Sequence, residues 1–271
     1  MCLKLFIPFQ KKAAILLAAM LVLSGGVLLG YNFYIVNSNL NRQLEASSSS
    51  TLSLFSSWLR TGLESADSYL LYMTDSDQDF AMLSYQDTFL ESHLYAYQVK
   101  EKCDMVLKTE KTAGAFFLYS SSSGYFTKTY GAGVSSRLKI SSGEYVKRLF
   151  TNGSLSAREW TLHWIEGAPC LLRMMSRGGA SIAVLVDLQQ VSQSSPEATR
   201  FLGSFAFLGE DGSLITAPSG PSAAALRQYQ GGRLLIGEDG SRYHVAEEEL
   251  GAAGLRTAYL APYPKFWESF D

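Results

Sequence analysis

Histidine is the side chain best suited to acid–base work near neutral pH, and this sequence has three: His93, His163 and His244. The first falls in a helical pattern and the others in two separate strand-like runs. No His-Glu-x-x-His, Gly-x-Ser-x-Gly, Walker or paired-histidine metal spacing accompanies them, so the sequence predicts no enzyme and no metal centre. His93, among helical polar residues, reads as a solvated surface group. His163 lies in Trp160-Thr161-Leu162-His163-Trp164, where a period of two puts it on the face of Thr161 and predicts a solvated or rim position. Gly-Glu-Asp-Gly-Ser occurs twice, at 209–213 and 237–241. Its carboxylates suggest a cation loop, but no run of alternating oxygen ligands surrounds either copy, and Asp-Gly predicts two hairpin turns. No cofactor is expected.

The elements that would position these residues begin with an anchor. Ala13 to Val36 is a run of 24 positions without a charge. At ~1.5 Å per residue it makes about 36 Å of helix, against a bilayer core of ~30 Å. Lys4, Lys11 and Lys12 precede it and the first later charge is Arg42, which places the N-terminus in the cytoplasm. Tyr31, Phe33 and Tyr34 would sit at the outer interface. A cleaved signal peptide is the competing reading, yet the run exceeds a usual h-region of about 7–15 residues and no small-x-small site follows it. In both readings residues 37–271 are exported. Cys2 precedes the run, so it is not a lipoprotein cysteine. Cys103 and Cys170 are then the exported cysteines, too few for a disulfide framework and expected as two independent buried thiols. The net charge of −2 offers no footprint for nucleic acid.

Beyond the anchor, Leu52, Phe55, Leu59, Leu63, Ala66, Leu70 and Met73 step by three and four, an apolar stripe on one helix face. The Ser47–Ser50 run weakens continuity between that helix and the anchor. Thr74 to Asp77 predicts a break with cap residues for a second helix, carrying Leu83, Leu90, Leu94 and Tyr97 and running to about Lys108. Short strand-like runs follow at 115–119, 125–130, 159–165, 170–175 and 182–186, with an amphipathic helix at 141–150. A connecting helix or loop at 188–199 leads to a second strand set at 204–208, 213–216, 233–236, 242–245 and 255–260.

This α+β layout, a membrane helix, a long extracytoplasmic helix and two successive five-strand sets, resembles the double Cache, or tandem PAS-like, sensor region of Gram-positive transmembrane histidine kinases. The residues that carry the resemblance are Asp67-Ser68-Tyr69-Leu70 in the long helix and Gly114-Ala115-Phe116-Phe117-Leu118-Tyr119 opening the first strand set. Ser181-Ile182-Ala183-Val184-Leu185-Val186-Asp187-Leu188 closes that set, and Phe207-Leu208-Gly209-Glu210-Asp211-Gly212-Ser213-Leu214-Ile215 opens the second. The match covers nearly all of 37–265 and is one of layout. It implies a cytoplasmic N-terminus at 1–12, a membrane helix at 13–36 and a stalk with covering helices at 37–110. A membrane-distal PAS-like unit follows at 111–199, a membrane-proximal unit at 200–265 and a juxtamembrane end at 266–271. Relatives of this kind continue into a second membrane helix and cytoplasmic signalling modules. This sequence stops at Trp267-Glu268-Ser269-Phe270-Asp271, as a truncated receptor or as an anchored sensor that needs a partner for output.

The resemblance also implies that the distal unit holds the ligand, between its sheet and the covering helix and loops. The polar and aromatic residues there are Tyr119, Tyr125, Tyr130, Tyr145, Trp160, Trp164, Arg173 and Asp187. An arginine facing a carboxylate and an aspartate facing an amine would make an amino-acid site. The Arg and Trp-Tyr spacing of the amino-acid-binding versions is absent; Arg158-Glu159-Trp160 is a faint echo of it. The expected role is therefore a receptor sensor region for an unidentified small molecule, held in the membrane as a homodimer. The alternative is an anchored interaction or assembly module without a small ligand, which a distal pocket plugged by side chains would favour.

Overall fold

The computed structural model describes residues 9–86, 88–153, 159–194, 203–216, 226, 229, 231–237 and 240–263. The anticipated end at 266–271 and the connector beyond Ser194 lie outside the described residues, as does most of the expected cytoplasmic N-terminus. The chain divides into two compact units, Met1–Ser47 and Ser48–Asp271.

Helix α1 (Phe9–Asp75) is one element of 67 residues. In the first unit its described side chains from Leu16 to Tyr34 are exposed, and the segment is long and apolar enough to cross a membrane. The helix runs unbroken through Ser47–Ser50, the stretch expected to weaken its continuity. Ser48, Thr51, Leu52, Phe55 and Ser56 are all buried in the second unit, and packing of this kind overrides the middling helix propensity of serine.

The stripe predicted on α1 is the stripe observed: Leu52, Phe55, Leu59, Leu63, Ala66, Leu70 and Met73 are all buried. Two sheets take it up. The first has the order β2-β1-β5-β4-β3, from β1 (Ala115–Ser120), β2 (Phe126–Tyr130), β3 (Thr161–Ile165), β4 (Ala168–Arg177) and β5 (Ala180–Asp187). The second repeats that order as β7-β6-β10-β9-β8, from β6 (Ser204–Leu208), β7 (Leu214–Thr216), β8 (Leu234–Ile236), β9 (Arg242–Glu249) and β10 (Arg256–Pro262). Every pairing is antiparallel.

Against the second sheet, Phe55 stacks on Phe205 with ring centroids 4.1 Å apart, and the Ser56 and Thr257 hydroxyls hydrogen-bond at 2.7 Å. Against the first, the Tyr69 ring meets Phe116 edge-on at 5.4 Å. Gly62 lets Thr112 close onto the helix, since a Cβ at 62 would lie 2.7 Å from the Thr112 Cβ. Both Gly-Glu-Asp-Gly-Ser segments are closed by the same backbone hydrogen bond, first glycine to serine. Gly209 N–H donates to Ser213 O at 2.8 Å and Gly237 N–H to Ser241 O at 2.7 Å, while Gly212 and Gly240 take φ of +81° and +78°.

The second predicted helix is in fact two, α2 (Gln78–Leu83) and α3 (Phe89–Thr109). Asp77 caps α2 by accepting from Phe80 N–H at 2.9 Å. Thr88 caps α3: its Oγ1 accepts from Glu91 N–H at 3.4 Å, half of a capping box, and its hydroxyl donates to the Glu91 carboxylate at 2.7 Å. The break resets the helical phase, so Leu90, at 78% exposure, Leu94 and Tyr97 face out. Ser92, Ala96, Val99 and Cys103 form the buried face, whose small side chains allow close approach. Cys103 and Cys170 are free and buried.

Candidate functional site

The first sheet is covered on both faces, and the period of two assigns each strand residue to one of them. Helix α4 (Ser136–Asn152) lies over one face. It is capped by Ser135, whose Oγ accepts from Leu138 N–H, and it ends on Gly153 in the left-handed region at φ +60°. Beneath α4, Phe117, Val146, Phe150, Ile165, Cys170, Leu172, Met174 and Leu185 form a packed apolar cluster. α1 and α3 cover the other face.

Four of the eight anticipated residues belong to the α4 side. The Tyr119 ring stacks on Phe150 at 5.7 Å, and the Tyr130 hydroxyl donates to Lys139 O at 2.7 Å. The Tyr145 hydroxyl meets His163 Nδ1 at 2.9 Å. Asp187 lies across the strand pair from Cys170 and is buried. One of its oxygens accepts the backbone N–H of Gln189 at 3.0 Å and of Gln190 at 3.2 Å, which caps the short helix α5 (Leu188–Ser194). Burial raises the Asp187 carboxyl above its ordinary value, and the two N–H groups pull the other way.

The other four lie elsewhere. Arg173 Nε donates to Asp67 of α1 at 2.9 Å, and Trp160 Nε1 donates to the second oxygen of the same carboxylate at 3.2 Å. Trp164 shares the side of Trp160 and is 51% exposed. Tyr125 precedes β2 and hydrogen-bonds His93 of α3 at 2.7 Å. Arg173 and Asp187 therefore occupy opposite faces and are each committed to a partner within the chain. The structure does not bring them together on one ligand.

Of the solvated and rim positions expected for His163, the structure shows the rim: it is half-buried and points toward α4. The Thr161 hydroxyl donates to Leu172 O at 3.2 Å, so it accepts from His163 Nε2–H at 2.9 Å. That assigns Nδ1 as the acceptor for Tyr145. Burial lowers the His163 pKa.

Beside Tyr130 the surface opens into a cleft of about 670 Å³. Glu101, Asp104 and Lys108 of α3 line it, with Lys111, the glycine turn Gly131-Ala132-Gly133 and Gln190 of α5. A Cβ at Gly133 would meet the end of the Gln190 side chain, which would have to swing aside, so glycine there lets Gln190 lie against the turn. Asp104 also accepts from the Thr129 hydroxyl, which ties α3 to β2. The sequence signal for this cleft was present in the Gly-Ala-Gly turn and the mixed charges at the end of α3, but their proximity depends on the tertiary fold.

No protein-family model matches the chain, and no curated protein matches it. Solved structures do. The extracellular domain soHK1S-Z6, from a protein described as a histidine kinase, aligns with a TM-score of 0.50 at 14% identity, over 86% of this chain and 99% of that one. A second such domain, rpHK1S-Z16, aligns with a TM-score of 0.51 at 12% identity, over 82% and 95%. The ligand-binding domain of the Pseudomonas aeruginosa PAO1 chemoreceptor PctB aligns with a TM-score of 0.45 at 13% identity, over 84% and 91%. The two kinase domains define the architecture: the chain has the double Cache fold, a long helix carrying two tandem five-stranded PAS-like sheets.

Proposed function

We propose that residues 37–271 are the extracytoplasmic ligand-sensing region of a transmembrane signalling receptor of the histidine-kinase type. The observation that carries this reading is α1 itself. One helix contains both the apolar segment of membrane length and the stripe on which both sheets are mounted. The N-terminus is cytoplasmic, the first-sheet unit is membrane-distal and the second-sheet unit membrane-proximal. The chain acts as a homodimer; since α1 spends its stripe from Leu52 to Met73 on its own sheets, pairing uses other surfaces. Signal passes along α1, which requires the ligand to bind two arrangements of the protein unequally.

The proposed ligand site is the cleft beside Tyr130, the anticipated residue that lines it. Its size suits a small metabolite. Glu101 and Asp104 suit an amine and Lys108 and Lys111 a carboxylate, with the Tyr130 ring, Leu107 and Ala113 as the apolar part. Asp187 contributes indirectly, by holding the backbone of Gln190 at the cleft edge. Arg173 is no longer a useful probe of ligand contact, because its removal would break the link to Asp67.

The test is a thermal-shift screen of the purified chain against single amino acids, organic acids and amines. A ligand at a hundredfold excess over Kd stabilises by about 2.7 kcal/mol. Lys108→Glu with Lys111→Glu, both at exposed positions, should abolish the shift while leaving the unliganded melting temperature in place. A shift that survives both substitutions would move the site out of the cleft. A full screen without any shift would count against ligand sensing. The packed cluster under α4, where Tyr119 and Phe150 fill the space next to the sheet, favours the second reading, an anchored assembly module without a small ligand.

A further inference from the structure

Strand β4 presents two different faces. Cys170, Leu172 and Met174 point into the cluster under α4, while Arg173 and Arg177, four residues apart on the other side, both reach α1. Arg173, with its side chain 11% exposed, holds the Asp67 side chain, which keeps 35% exposure at the edge of the contact. Arg177 Nη1 donates to the carbonyls of Thr74 at 2.9 Å and Asp75 at 2.6 Å, the last free acceptors of the helix. The spacings agree. Four strand residues span ~13 Å, and the seven to eight helix residues between the two grips span ~11–12 Å. Both grips advance together along the chain, so β4 and the end of α1 run the same way and are bolted at two points. Trp160, next to β3, shares the Asp67 carboxylate and brings the sheet edge into the same contact.

We propose that Arg173 and Arg177 make β4 the strand through which the packing state under α4 is passed to α1. Rearrangement of Leu172 or Met174 shifts the β4 backbone, and the two arginines carry that shift to the helix from Asp67 to Asp75. Arg173 and Arg177 are positioning residues, and Asp67 is the helix group that receives them. This inference rests on the proposed relay along α1, and it names the contact that would perform it.

The experiment needs no ligand, so it is independent of whether one is found. Hydrogen exchange is followed by mass spectrometry on the full chain in lipid nanodiscs. Met174→Ala opens space under α4, on the face away from the clamp. With the clamp intact, exchange should quicken in α4 and, on the order of tenfold, in residues 66–75 of α1. In a chain carrying Asp67→Ala, Arg173→Met and Arg177→Gln, the same Met174→Ala should quicken α4 alone. Removing the charged pair together avoids stranding a buried charge. Unchanged exchange in β6 reports that each variant is folded, and Arg177→Gln alone, expected to halve the response, serves if the triple variant is not. The proposal is overturned if Met174→Ala leaves residues 66–75 unchanged with the clamp intact, or quickens them equally without it.

Discussion

Replacing Phe55 with alanine tests whether α1 is the member on which the second sheet is built. Phe55 is fully buried, stacked on Phe205 at 4.1 Å, and its ring lies 6.1 Å from Phe207 and 5.9 Å from Trp58. The ring represents roughly 100 Å² of apolar surface, worth about 2.5 kcal/mol at ~25 cal/mol per Å². Phe205 is itself buried on β6 and cannot follow the missing ring without breaking its ladder to β10, so a cavity term is added. The expected loss is about 3–5 kcal/mol, with up to about 1 kcal/mol of it from ring stacking. For a folded unit of this size that lowers the melting temperature by roughly 6–20 °C. The assay is urea unfolding of the wild type, Phe55→Ala, Phe205→Ala and the double variant, followed by hydrogen exchange resolved to β1 and β6. The two changes should be strongly non-additive, because each leaves the other ring without its partner. A loss below about 1 kcal/mol, or simple additivity, would show that the second sheet does not depend on this face of α1.

Gly62→Ala should destabilise by about 1–3 kcal/mol, although alanine is the better helix former by ~1 kcal/mol, because the new Cβ meets Thr112; a rise in melting temperature would contradict the close approach. His163 has a lowered pKa in the folded state, so the unfolded chain takes up its proton first as pH falls. Stability should therefore be complete above about 6.5, decline below it and level off once the depressed folded value is passed. His163→Gln should remove that part of the slope in unfolding titrations, and an unchanged slope would place the titration elsewhere.

The stripe on α1 was legible because one periodic face is buried throughout, and the sheets because their turns carry Gly at positions of positive φ. The repeated Gly-Glu-Asp-Gly-Ser marked two hairpins of the same sheet, β6–β7 and β8–β9. Sequence was less informative where both faces of an element are covered. In β3 the polar alternation of Thr161 and His163 marked a half-buried rim beside α4 and not an open solvent face. The split between α2 and α3 was written in Thr88 and Glu91, whose capping-box spacing outweighs the longer run of leucines. Arg173 could not be placed from sequence at all: its partner, Asp67, lies 106 residues away, and only the fold brings them together.

The central claim, that the two-sheet body is held outside the cytoplasm by α1, is tested most directly by an impermeant thiol reagent on intact cells. The native thiols beyond the anchor are silent in this assay, because Cys103 and Cys170 are buried and burial pushes the Cys103 thiol up to about 12. Ser48 is buried and unsuitable as a reporter, whereas Ser53 is exposed. With Ser53→Cys the chain should label in sealed cells while Cys2 reacts only after the membrane is opened. Labelling of Cys2 in sealed cells, or protection there of the thiol introduced by Ser53→Cys, would contradict the account.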